Sequence, residues 1–260
     1  MKHFPYFFLL IVMLISACAN TPPLVAPTST PLPTHTRRPT VTPLPTHTST
    51  PLPTATPNVT ATAAFKATDA AGGIVDDLDN LLGDTEIPYQ EGHLAWKQDG
   101  PFSLEMSGPD QKFVGLDESL TAENFILKSD VTWNATGLLV CGAIFRSEPD
   151  LEKGKQYHFA FLRFSGLPAW AIEVHQYGRF KNSPTKVKFS DAVDLGNGAT
   201  NQVVLVVQDD HFTLYINKTR QGTYYDYSKQ RTEGSMAFLA AQQSGKGSCE
   251  FKNSWVWALK

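Results

Sequence analysis

The chain has 260 residues, 42% of them hydrophobic and 18% charged, with a formal net charge of −3. A mildly acidic balance offers no basic stripe, which excludes the electrostatic footprint of a nucleic-acid binder. With three cysteines, no CxxC and no H-E-x-x-H, the common zinc-site spacings are excluded as well.

Residues 7–15 form a run of nine apolar side chains behind a short leader carrying Lys2. A bilayer crossing needs about 20 apolar residues, so the run fits the core of a signal peptide. It ends in Ile15-Ser16-Ala17-Cys18, which resembles the lipobox of bacterial lipoproteins. That resemblance implies a signal peptide over residues 1–17, cleavage before Cys18, and acyl chains on Cys18 as the membrane anchor. The folded part would then stand outside the cytoplasm at the bacterial cell surface. Cleavage removes Lys2 and no acidic residue, which leaves 21 basic against 25 acidic side chains.

Residues 18–63 read as a low-complexity stalk. Positions 19–63 hold 14 threonines and 11 prolines, and Pro-Leu-Pro-Thr recurs at Pro31, Pro43 and Pro51. Such a segment lacks the apolar surface to offset its ordering entropy, and proline biases it toward polyproline II. Over residues 64–84 the pattern becomes helical, with Phe65, Ala71, Val75, Leu78 and Leu82 on one stripe. Gly72-Gly73 interrupts it, giving either one helix with a weak middle or a short helix over residues 74–82.

Residues 85–260 alternate with a period of two. Phe125, Leu127, Val131 and Trp133 share one parity, as do Trp170, Ile172 and Val174, and Phe212, Leu214 and Ile216. This marks half-buried strands, about ten to twelve of them, with Asp209-Asp210 as a two-residue hairpin. No helical crossover separates the strands. The expected class is all-β, two antiparallel sheets stacked as a jelly-roll sandwich. By the same parity Trp255 and Trp257 are expected to join Phe251 in the core. Cys141 and Cys249 form an even pair in an exported chain and are expected to form a disulfide, two buried thiols being the alternative.

Several phrases of this region, in order, resemble concanavalin A-like lectin/glucanase domains of the laminin-G-like and 3-keto-disaccharide-hydrolase-like (DUF1080) branch. They are Gly142-Ala143-Ile144-Phe145-Arg146, Tyr157-His158-Phe159-Ala160-Phe161, Leu214-Tyr215-Ile216-Asn217, Gly234-Ser235-Met236-Ala237-Phe238 and Phe251-Lys252-Asn253-Ser254-Trp255-Val256-Trp257. Lys218 stands where the hairpin of that family has glycine, so a longer or differently shaped turn is expected. Lys252 replaces the usual acidic residue of the last strand.

The resemblance implies a sandwich that either binds glycans or hydrolyses them. Glucanases of this fold carry three acidic residues on one strand, two of which flank the scissile bond. Glu148-Pro149-Asp150-Leu151-Glu152 matches the spacing by letters, but Pro149 and the following Lys153-Gly154 make it a loop. Glu148, Asp150 and Glu152 are instead a possible Ca²⁺ loop, the one cofactor the sequence suggests. No catalytic residue is assigned. Sugar rings stack on flat side chains while their hydroxyls seek polar partners, which nominates Arg146, Trp170, Glu173, His175, Tyr177 and Arg179 as ligand-binding residues. Tyr224, Tyr225 and Tyr227 fall near a strand end. The expected function is non-catalytic binding of a glycan or cell-surface polymer. A glycoside-acting hydrolase and a protein-binding adhesion or spacer module are the alternatives.

Overall fold

The computed structural model describes residues 59–260 other than residue 165, with side chains from residue 71 onward. The signal peptide, the Cys18 lipid site and the stalk up to residue 58 lie outside the described residues. In chain order the elements are α1 (Val59–Leu82), a 3-10 turn (Tyr89–Glu91), β1 (His93–Lys97), β2 (Phe102–Ser107), β3 (Asp110–Gly115), β4 (Thr121–Ala122) and β5 (Phe125–Ala135). Then come β6 (Leu139–Ser147), β7 (Gln156–Phe164), β8 (Leu167–Gln176), β9 (Arg179–Asn182) and β10 (Lys188–Phe189). The last are β11 (Thr200–Gln208), β12 (His211–Ile216), β13 (Thr219–Tyr225), β14 (Gly234–Gln242) and β15 (Lys246–Ala258).

The strands form two antiparallel sheets, the sandwich expected from the alternating pattern. One has seven strands in the order β1-β15-β5-β11-β12-β13 with β2 also on β15; the other has eight, β10-β8-β7-β6-β14-β3 with β4 on β14 and β9 on β8. Their facing sides bury Phe125, Leu127, Val131, Trp133, Phe145, Tyr157, Phe161, Trp170, Ile172, Phe212, Leu214 and Phe238 in one cluster. The parity of β5, β8 and β12 is therefore as expected. Cys141 on β6 and Cys249 on β15 are disulfide-bonded with Cα atoms 5.7 Å apart, which staples one sheet to the other.

Parity fails in β15. Lys252 pairs with Asp130 and Trp255 with Lys128, so three steps on β15 oppose two on β5. This bulge, with Asn253 at φ 50°, turns every later side chain to the other face. Phe251 and Val256 face the core, whereas Trp255 and Trp257 lie on the outer face of the seven-stranded sheet, in a second cluster. Both indoles are still buried, because α1 covers them with Ile74, Leu78 and Leu82. Each of those three contributes about 1.5–3 kcal/mol by burial. Their spacing of four defines the buried stripe; Val75, expected on it, is one step round the helix and exposed. The helix runs unbroken through Gly72-Gly73 and begins five residues before the expected start.

The joint is pinned by polar contacts. The Tyr89 hydroxyl donates to Asp79 of α1 (2.6 Å), and the Trp257 indole N–H donates to the Tyr89 carbonyl (2.9 Å). Gly92 is obligatory there, since a Cβ would lie 2.2 Å from the Trp257 indole nitrogen. The β12–β13 turn corrects another expectation. Ile216 pairs directly with Thr219, so the turn has two residues and is not longer; of the expected longer or differently shaped turn, only a change of shape remains, with Lys218 at φ 66°. Local register with β11 and β12 imposes the turn, so lysine accepts the left-handed conformation.

Candidate ligand-binding site

Four of the six nominated binding residues come together on the β8–β9 hairpin. Ile172 and Val174 point inward, so Glu173 and His175 point outward from the eight-stranded sheet, and Tyr177 and Gly178 form the turn to Arg179. Glu173 accepts the His175 Nε2 contact at 2.9 Å. His175 stacks flat on His158 of β7, centroids 3.9 Å apart and planes within 4°, and His158 contacts the Gln156 amide at 2.9 Å. His158 is buried, and desolvation followed by the neighbouring His175 holds its pKa well below the ordinary imidazole value. Glu173, His175, His158 and Gln156 thus engage one another in pairs. Tyr177 is broadly open, 70% exposed, its N–H held by the Lys153 carbonyl at 2.7 Å, and Arg179 after the turn is exposed as well.

The other two nominated residues are structural. Trp170 points into the core, 1% exposed, with its ring edge-on to Tyr224. Arg146 is buried and donates from Nε and Nη2 to the Glu123 carbonyl (3.0 and 2.7 Å). Burial pulls its pKa down, partly countered by Tyr157, Glu123, Asp209 and Asp226.

The 148–155 loop organises itself in the same way. Asp150 Oδ1 accepts the N–H groups of Glu152 and Lys153, each at 2.9 Å. Glu148 accepts the Lys155 N–H (2.9 Å) and pairs with Arg231 (3.3 Å). Glu148, Asp150 and Glu152 thus do not converge on a cation. Among the described residues no group of three or more His, Cys, Asp or Glu side chains is placed to hold a metal ion.

The open aromatic surface lies instead at the end of β13, on the edge of the seven-stranded sheet. Tyr225 ends the strand and Asp226 and Tyr227 lead into the following turn, with Asp226 buried and both tyrosines exposed. Asp226 is buried and accepts the hydroxyl proton of Tyr157, a core residue of β7. The same phenol oxygen accepts the N–H groups of Gln230 (2.9 Å) and Arg231 (3.4 Å). Desolvation, then the bond to Asp226, raises the Tyr157 pKa, so the phenol stays a donor. The segment carrying the tyrosines is therefore anchored from below.

On the surface the rings of Tyr225 and Tyr227 lie within 19° of parallel, centroids 5.7 Å apart, 49% and 89% exposed. His211 of β12 lies against Tyr225 with centroids 4.0 Å apart. His211 Nδ1 meets Asp210 at 3.0 Å, and Asp210 also pairs with Lys229 at 3.2 Å. The bond to Lys229 holds the Asp210 pKa below the usual carboxylate range. The result is an exposed strip of two stacked tyrosine rings bordered by donors and acceptors. Tyr225 and Tyr227 were visible in the sequence as aromatics near a strand end. What singles them out is the burial of the carboxylate between them, Asp226, which holds the chain where the strand gives way to the turn.

The chain matches no known protein family and no curated protein sequence. Solved structures similar to it include a carbohydrate-binding module, CBM66, from Bacillus subtilis, with 15% identity over 58% of this chain and 84% of that one, TM-score 0.45. A Bacteroides ovatus mixed-linkage glucan GH16 protein solved with a product is 9% identical over 64% and 84% of the two chains, TM-score 0.43. Sheep galectin-11 is 8% identical over 58% and 98%, TM-score 0.39.

Proposed function

We propose that this chain is a lipid-anchored lipoprotein of the bacterial cell surface whose sandwich binds a glycan or cell-surface polymer without turning it over. The anchor is Cys18, and the Thr/Pro-rich segment is the spacer that carries the domain outward. The reading rests on one observation: Tyr225 and Tyr227 present parallel, solvent-facing rings that are fixed from beneath by the Tyr157–Asp226 bond. Exposed aromatics bind the C–H faces of sugars at little entropic cost, and the mutually paired His211, Asp210 and Lys229 beside them keep further donors and lone pairs for the hydroxyls.

A glycan array probed with the purified protein tests this. Binding to a saccharide class is expected, and the Tyr225→Ala/Tyr227→Ala double variant is expected to lose it by about tenfold or more. An array without binders, or a double variant that binds as well as the parent, overturns the proposal. The anchor has its own test. Metabolic labelling with a fatty acid is expected to tag the parent and not Cys18→Ala.

A further inference from the structure

A cleft of about 610 Å³ opens where α1 meets the β1–β2 turn and the bulge of β15. Its size falls in the range of small-molecule sites, roughly 300–1,000 Å³. Four independent features meet in it. The bulge carries the strained Asn253, a non-glycine residue at φ 50°. Trp255 lines the cleft, and its buried indole N–H has no hydrogen-bond partner. Gly73 of α1 lines the mouth, and a Cβ added there would meet no atom within 4 Å. Glycine weakens the helix relative to alanine, and no packing constraint calls for it.

Charge is the fourth feature. Lys128 is buried at the floor, paired with Asp130 (3.3 Å) and donating to the Asn253 carbonyl (3.1 Å). Lys97 and Lys252 also line the cleft and have no ion-pair partner among the described residues. At the exposed mouth stand two carboxylates, Asp77 and Asp99.

We infer that this cleft is a second binding site, for a hydroxylated carboxylate of sugar size such as a uronic acid. The ammonium groups of Lys252 and Lys97 take the carboxylate; Asp77 and Asp99 accept from hydroxyls, and the Trp255 indole beneath reports the occupancy. The site is independent of the tyrosine strip, from which β5, β11 and β12 separate it.

Titration of the ¹⁵N-labelled full chain with sodium glucuronate, glucose or acetate, followed at the Trp255 indole N–H, tests the inference. Glucuronate is expected to give a saturable shift. Lys252→Met is expected to weaken it about tenfold through loss of a charge-assisted bond. Gly73→Leu, which fills the mouth without changing charge, is expected to abolish it. Tyr225→Ala/Tyr227→Ala is expected to leave it unchanged. The absence of a saturable shift overturns the inference. So does equal affinity for glucose, which would make the carboxylate irrelevant, or for acetate, which would do the same for the hydroxyls.

Discussion

The β8–β9 cluster and the β13 strip are built from the same side-chain types and differ in what those side chains already touch. On β8, Glu173, His175, His158 and Gln156 bond or stack with one another and present little to solvent. On β13 the polar bond is turned inward, Tyr157 to Asp226, and the aromatic faces are left to water. Residue type alone nominates both regions. A ligand requires an open surface held in place, and in the second region the tyrosine rings supply it while His211, Asp210 and Lys229 pair with one another beside them.

The comparison can be sharpened by stability measurements, of which core truncation has the largest expected effect. Trp170→Ala should lower the unfolding free energy by about 3–5 kcal/mol, since it empties a buried site. Tyr177→Ala on the neighbouring turn should stay within about 0.5 kcal/mol. Chemical denaturation of both variants checks this; similar losses would mean that the β8–β9 turn is not the surface feature described. Next, Tyr157→Phe removes the donor to buried Asp226 and should cost about 1.5–3 kcal/mol. It should also weaken saccharide binding, because the strip loses its anchor. Unchanged binding would separate the strip from that bond.

Acid probes the β8 cluster. The folded-state pKa of His158 lies below its unfolded value of 6.5. The unfolded chain therefore takes up a proton that the folded chain refuses as pH drops below 6.5. Stability contributed by neutral His158 is complete above that pH and falls toward the lower folded pKa, with a slope of at most about 1.4 kcal/mol per pH unit. A melting-temperature series from pH 7 to pH 5 should show the fall, and His158→Gln should flatten it. The smallest effect is expected at the β12–β13 turn, at the other end of the hairpin from Tyr225. Lys218→Gly relieves the left-handed backbone at φ 66° and should stabilise the protein by up to about 1 kcal/mol.

Much of this fold was legible because strand alternation is a local signal. Phe125–Trp133, Trp170–Val174 and Phe212–Ile216 needed only parity, and the Cys141–Cys249 bridge needed only an even cysteine count and the expectation of export. Trp255 and Trp257 show where parity stops. A single inserted residue at a bulge reverses it, and Lys252-Asn253-Ser254 carries no glycine to announce the kink. The same is true of Arg146, whose burial depends on the Glu123 carbonyl, 23 residues away. The site was half legible. The tyrosines near the end of β13 could be seen, but their fixing depends on a Tyr157–Asp226 bond spanning 69 residues and both sheets. Glu173 and His175 were placed correctly on one face, yet nothing local shows that they satisfy each other.

Chemical-shift mapping of the labelled protein with a saccharide selected on the array compares the two regions in one spectrum. Perturbations concentrated at His211, Tyr225, Tyr227 and Lys229, with Glu173, His175 and Tyr177 unmoved, are the expected result. Perturbations centred on Glu173, His175 and Tyr177, with the β13 strip silent, would contradict the assignment of the binding face.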